Sequence, residues 1–269
     1  SACGQTLPTR TIARMRIVSL LPSATEILFD LGLGDDVVGV TFECNWPAEA
    51  RSKRIVSTSA LPEGLSPAEI DAVVKERMAA GEDLYRLDRG AFADIDPELV
   101  VTQDLCAVCA VDVSEVDAAI AYLGCKANVL TLDPMTLDEV IDSVTTAGAA
   151  TGTEPRAAEI VASLRERVVA VRSQVAGEPR PRVLVLEWTD PAFTSGHWVP
   201  YLVEAAGGES VLSYAGGKSQ GVEWSTIRDA AVDVVIVAPC GFGLDGASEL
   251  ATGVIERDVQ LVDGARAKR

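Results

Sequence analysis

Two rhythms of apolar and polar positions alternate along this chain. Short solid apolar runs, such as Ile17-Val18-Ser19-Leu20-Leu21, Val37-Val38-Gly39-Val40-Thr41 and Glu98-Leu99-Val100-Val101-Thr102-Gln103, are interleaved with stretches of helical spacing. Runs of this kind suit strands buried on both faces, and their alternation with helices marks βαβ units and a largely parallel sheet. A helix is predicted over Ser23–Gly32, with Gly32 and Gly34 as its stop. Another opens at Ser66-Pro67-Ala68-Glu69, where Ser66 caps, Pro67 suits the first turn and Glu69 completes a capping box; it runs to Ala80. Further on, a helix is expected over Asp112–Leu123, a strand over Ala127–Leu132 and a helix over Thr136–Ala150, with Leu137, Val140, Ile141 and Val144 on one face.

The segment Thr153–Val175 carries Ile160, Val161, Leu164, Val168 and Val171 at helical spacing among Arg and Glu, and Gly177, Pro179 and Pro181 end it. A helix of that length spans roughly 30 Å, enough to join two lobes; an ordinary surface helix of one domain stays open. A second, shorter α/β half follows: strand Arg182–Trp188, helices Val199–Ala206 and Trp224–Ala230, and strand Val232–Ala238. The tail Glu249–Arg269 shows no clear capped helix, so the second half reads as incomplete. The expected organisation is an extension at 1–14, a lobe at 15–152, a linking helix at 153–177 and a lobe at 178–269.

In open α/β sheets ligands bind beyond the carboxyl ends of the strands. The residues just past those ends are Glu43, Cys44 and Trp46; then Asp104, Cys106 and Cys109; then Glu187, Trp188, Asp190, Phe193, His197 and Trp198; and finally Cys240. Two sheets facing one another would gather them into one cleft. Aromatic residues make up only 5% of the chain, so tryptophans concentrated at strand ends suit stacking on a flat ligand. His197 is the only histidine, which argues against a zinc or manganese site built from several imidazoles. Cys44, Cys106, Cys109 and Cys240 with His197 would form a soft-metal set if they met in space. The Cys106-Ala107-Val108-Cys109 spacing by itself fits packing cysteines, metal ligation or a redox pair.

A formal net charge of −17 disfavours nucleic acid and anionic membrane surfaces as partners. There is no apolar run near the ~20 residues a membrane span needs. Ser1-Ala2-Cys3 matches the end of a lipoprotein cleavage site, with Cys3 as the lipid anchor, whereas Met15, directly before the first strand, leaves a cytoplasmic location open. The six cysteines do not decide the compartment. GxSxG, HExxH, GxGxxG after a strand and the P-loop are all absent, so the chain reads as a binding protein rather than an enzyme.

Several motifs in order carry a resemblance: Ile17 to Glu26, Gly39-Val40-Thr41 followed by Trp46-Pro47, Asp96-Pro97-Glu98-Leu99-Val100, and Pro191 to Gly196 followed by Gly207-Gly208. Over Met15 to about Gly243 the chain resembles the ABC-transporter substrate-binding proteins with a single linking helix, in the vitamin B12-binding and iron-siderophore-binding branch. The resemblance implies an α/β fold of two lobes with parallel-rich sheets, little hinge motion, and a corrinoid, haem or siderophore-type ligand in the interlobe cleft. It also implies an ABC permease as partner, an extracytoplasmic location and no required cofactor beyond the bound corrinoid, haem or metal ion. By position its cleft residues fall on Glu43, Trp46, Gln103 and Trp188. The family's docking glutamates fall on Gly90 and Ser225, with Asp88 and Glu223 close by, and Pro62–Arg89 is an insertion. A cytoplasmic cofactor carrier or sensor on the same fold and a CxxC redox protein are the rival readings.

Overall fold

The computed structural model describes residues 14–80, 82, 84–88, 90–91, 94–103 and 127–257. A six-stranded sheet organises the first part, in the order β4-β3-β2-β1-β5-β6. Its strands are β1 (Ile17–Ser19), β2 (Val37–Thr41), β3 (Arg54–Ser59), β4 (Tyr85–Leu87), β5 (Leu99–Thr102) and β6 (Asn128–Thr131). Every pairing is parallel except β4 on β3. The central β1 explains the solid apolar run, because both its faces are covered. On one face Ile17, Val37, Val40, Leu99 and Val101 pack beneath Ala24 and Leu28 of α1 (Pro22–Asp30). On the other, Val18, Val56 and Val100 meet Leu84, Tyr85 and Leu87. Helix α1 ends where Gly32 takes a φ of 83°, a left-handed conformation that glycine adopts without strain.

Helix α2 (Pro67–Ala80) begins with the expected capping box: the Glu69 amide donates to Ser66 Oγ at 3.4 Å and the Ser66 amide donates to Glu69 Oε2 at 2.8 Å. A second box, between Thr136 and Glu139, opens α3 (Leu137–Thr151). The long helix α4 (Glu154–Gln174) then runs against α3. Ala157 and Val161 of α4 are buried with Ile141, Val144 and Ala147 of α3, and Leu31 closes the same cluster. A Cβ added at Gly148 would lie 2.5 Å from the Cβ of Ala157, so the two helices cross at backbone distance. Just past the far end of α4, Val175 fills the space over Gly207 of the second lobe, where a Cβ would come within 2.9 Å of it. One rod is thus seated in both lobes.

The second sheet is built on β7 (Arg182–Thr189). Along one edge the carbonyls of Pro181, Val183 and Val185 accept from the amides of Glu209, Val211 and Ser195; along the other those of Arg182 and Leu186 accept from Asp233 and Ala238. Strands β10 (Glu209–Ser210) and β13 (Val234–Val237) run parallel to β7, while β8 (Ala192–Thr194) is antiparallel and carries β12 (Gln220–Gly221). Strands β9 (Gly196–His197) and β11 (Tyr214–Ala215) form a separate parallel pair. Leu184, Leu186, Ala192, Val211 and Ile227 make the core, with α5 (Val199–Ala205) and α6 (Trp224–Asp229) packed around the sheet.

The tail departs from the reading of its sequence. A helix, α7 (Leu244–Arg257), occupies the region where no capped helix was expected. It holds by burying Val254 in the second-lobe core rather than by a local cap, and Gly246 and Gly253 had hidden it by lowering helix propensity. The helix expected over Asp112–Leu123 lies outside the described residues. Strands β4 and β8 to β12 were not legible, because runs of two or three residues have no measurable period, and the longer β3 was not, because its Arg54-Ile55-Val56-Ser57-Thr58-Ser59 is mostly polar and makes no solid apolar run.

The helix crossing yields one expected outcome. Gly148→Val should lower stability by about 1–3 kcal/mol, since it forces α3 from α4, whereas Gly253→Ala, with open space around its site, should raise it by roughly 0.5–1 kcal/mol. Thermal unfolding of both variants checks this; equal effects would show that the crossing is not tightly packed.

Candidate ligand cleft

In the first lobe the chain leaves β2 through a tight turn that sorts its side chains. The Cys44 amide donates to the Thr41 carbonyl at 3.1 Å, folding Cys44 back into the core where only 3% of it is exposed. Its thiol lies 3.0 Å from Thr25 Oγ1, which in turn donates to Ser19 Oγ at 2.8 Å. Burial pushes the Cys44 thiol pKa up, against the hydrogen bonds of Thr25 and Thr41. Phe42, Glu43 and Trp46 are left facing outward, with Trp46 64% exposed. Tyr85 of β4 donates its hydroxyl to Glu43 Oε2 at 2.9 Å, and its ring centroid lies 6.2 Å from that of Phe42. Burial raises the Glu43 pKa, and the Tyr85 hydrogen bond offsets part of that rise. Gln103, buried at the end of β5, stands two strands from β2, roughly 10 Å across the sheet.

In the second lobe β13 ends at Val237, opposite Leu186, while β7 runs on to Thr189. Trp188 and the turn after β13 therefore emerge side by side. The Trp188 and Phe242 rings meet edge to face at 5.7 Å, and the Cys240 amide donates to the Glu187 carbonyl at 3.3 Å. Phe193 on β8 is the cross-strand partner of Trp188. The Trp188 indole N–H is shared between the Asp190 carbonyl at 3.1 Å and the Pro67 carbonyl at 3.2 Å. Pro67 is the first residue of α2, so this bond reaches from the second lobe to the first. It brings the start of α2 against the carboxyl end of β7.

Glu187 points the other way, into its own lobe. Its carboxylate accepts from the Gly196 amide at 3.3 Å and from the Ser219 hydroxyl. A Cβ at position 196 would lie 2.4 Å from the Ser219 amide nitrogen, so only glycine lets the two backbones approach this closely. His197 follows with a φ of 51° and its ring 5.8 Å from that of Trp198. Burial lowers the His197 pKa, the nearby Glu187 carboxylate raises it and Lys218 lowers it, and Nε2 is enclosed with no hydrogen-bond partner among the described residues.

Of the residues the sequence singles out, Glu43, Trp46 and Gln103 thus gather at the carboxyl end of the first sheet, and Trp188, Phe193 and Cys240 at that of the second. His197 and Trp198 pack on each other at the start of α5, beside the loop that holds Ser219. Asp104, Cys106 and Cys109 lie outside the described residues. The soft-metal set is not assembled by the remaining members: Cys44 is interior, Cys240 is exposed, and among the described residues no three His, Cys, Asp or Glu side chains are grouped to hold a metal ion. Phe42, Tyr85 and Phe242 were missed. The strand-end rule reaches Phe42 and Phe242, whereas Tyr85 sits on a strand of three residues and gave no signal.

No helix among the described residues is long and apolar enough to cross a membrane. Over 213 residues the chain is 26% identical to the vitamin B12-binding protein of Salmonella typhimurium, a match covering 77% of this chain and 66% of that protein. A periplasmic binding protein from Veillonella parvula shares the fold with a TM-score of 0.70 at 18% identity, over 96% of this chain and 85% of that one. The apo form of the periplasmic haem-binding protein RhuT from Roseiflexus sp. RS-1 does so with a TM-score of 0.65 at 21% identity, over 95% of this chain and 89% of that one. The sequence pattern that defines the periplasmic binding proteins matches residues 17–259, nearly the whole described chain, and this protein belongs to that family.

Proposed function

We propose that this chain is the ligand-capturing subunit of an ABC importer, taking a corrinoid or an iron chelate such as haem between its lobes, which divide at the helix over 153–177. The observation that carries the reading is the Trp188–Pro67 hydrogen bond between the lobes, with aromatic residues past the strand ends in each, Phe42 and Trp46 in the first and the Trp188–Phe242 pair in the second. Flat macrocycles offer two apolar faces, and exposed rings on opposite walls complement them by stacking. Glu43 and Gln103 supply the few polar contacts that orient such a ligand at its rim. Likeness to vitamin B12-binding and haem-binding relatives supports this ligand class. The same kinship supports an extracytoplasmic location, a permease partner and a role in binding rather than catalysis. Asp88 and Glu223, both exposed, are the acidic groups beside the positions where a permease contact is expected.

The test is titration of the purified protein with hemin and with cyanocobalamin, read by tryptophan quenching and ligand absorbance. Saturable binding of one of them is expected; no change with either, nor with a ferric siderophore, would overturn the reading. Trp46→Ala should weaken that binding roughly tenfold while shifting stability by less than about 0.5 kcal/mol, as its side chain is mostly in solvent.

Glu43 adds a pH dependence. Its folded pKa lies above the ordinary value of 4.5, so the folded state holds the proton more tightly and stability falls as pH rises through the window above that value. Glu43→Gln should remove this loss, so that the variant gains on the wild type above about pH 4.5 and not below it. Unfolding midpoints across pH check the sign; a variant that gains only in acid would refute it.

A further inference from the structure

The geometry points to α2 as a gate over the cleft, latched shut by Trp188. The inference rests on the cleft reading above. Helix α2 runs 14 residues without burying any of them. Among the described residues, its attachment to a first-lobe core cluster is the partly buried Val74. Its polar groups are satisfied from within: the Ser66–Glu69 box closes its first turn, and among the described residues its ion pairs, Lys75 with Asp71 and Arg77 with Glu82, stay inside the same segment. Lifting α2 therefore breaks few bonds, and the helix can move as a rigid body.

Its two roots differ. Behind it, β4 is tied into the sheet by antiparallel pairing with β3, and Tyr85 anchors that strand to Glu43. In front, the approach passes through Gly64, whose φ of 77° lies in the region glycine tolerates, and ends at Pro67, whose carbonyl meets the Trp188 indole. That N–H already has a second acceptor in the Asp190 carbonyl of its own lobe. When Pro67 moves away, the donor keeps a partner, so opening leaves no buried polar group unpaired. A latch of this kind is weak by construction. It also lies on the ring that faces Phe242 in the cleft, so a ligand that stacks on Trp188 competes directly with closure. Ligand entry and release would then be governed by α2 rather than by relative motion of the lobes, which the seated α4 opposes.

Hydrogen exchange on the ligand-free full chain tests the gate. The amides of Asp71–Lys75 should exchange markedly faster than those of Val140–Val144 in α3, and Trp188→Phe, which keeps a ring and removes the N–H, should accelerate them by about fivefold more. Val74→Ala, outside the cleft wall, should do the same and should raise the stopped-flow association rate of hemin or cyanocobalamin. Protection of α2 equal to that of α3, unmoved by either substitution, would overturn the gate. If neither ligand binds the wild type, the reading of function falls while the exchange comparison still decides the gate.

Discussion

Everything the cleft does depends on how α4 is seated at both ends. At its start Gly148 lets α3 and α4 touch backbone to backbone beside Ala157. Just beyond its end Val175 packs over Gly207, which takes a φ of 85°. Each contact is close-packed, and close-packed contacts resist deformation. A rod held in this way sets the separation of two sheets that share no strand. Without it the strand ends would be two unrelated surfaces.

The second constraint lies just below the cleft floor. In the first lobe Ser19 and Thr41 close β1 and β2, Ser57 lies on β3 and Thr25 on α1, and these polar residues are fully or almost fully buried. They are not left unpaired: Ser57 donates to Thr41 at 2.8 Å, Thr25 to Ser19 at 2.8 Å, and Cys44 joins Thr25 at 3.0 Å. Buried hydroxyls that satisfy one another rigidify the turn that follows, because breaking any one strands its partner. That rigid floor holds Phe42, Glu43 and Trp46 outward without burying them. Cys44 belongs to this floor, which is why a thiol at a strand end turns out to be structural.

The second lobe solves the same problem differently. Glu187, at a position that suggests ligand contact, turns inward and ties Gly196 to Ser219. The charge is spent on shaping the wall that carries His197 and Trp198. Trp188, the next residue along β7, follows an irregular step in the register with β8 and is left to reach Phe242 and Pro67. One step along a strand separates a structural carboxylate from a ring that reaches the other lobe.

By itself the sequence determined the alternation of strands and helices, the cap at Ser66, the long helix and the placement of aromatic residues past strand ends. These are local: a capping box spans four residues, and a buried parallel strand announces itself by an unbroken apolar run. It could not reveal which strand-end residues face the cleft, because turns such as Thr41–Cys44 redirect side chains by hydrogen bonds that leave no periodic trace. Nor could it reveal Tyr85 behind Glu43, the helix held by Val254, or the reach of Trp188 to Pro67, residues 121 positions apart. Those depend on surfaces that exist only once distant segments are packed, since the energy that holds them is burial shared between elements rather than a preference of any one of them.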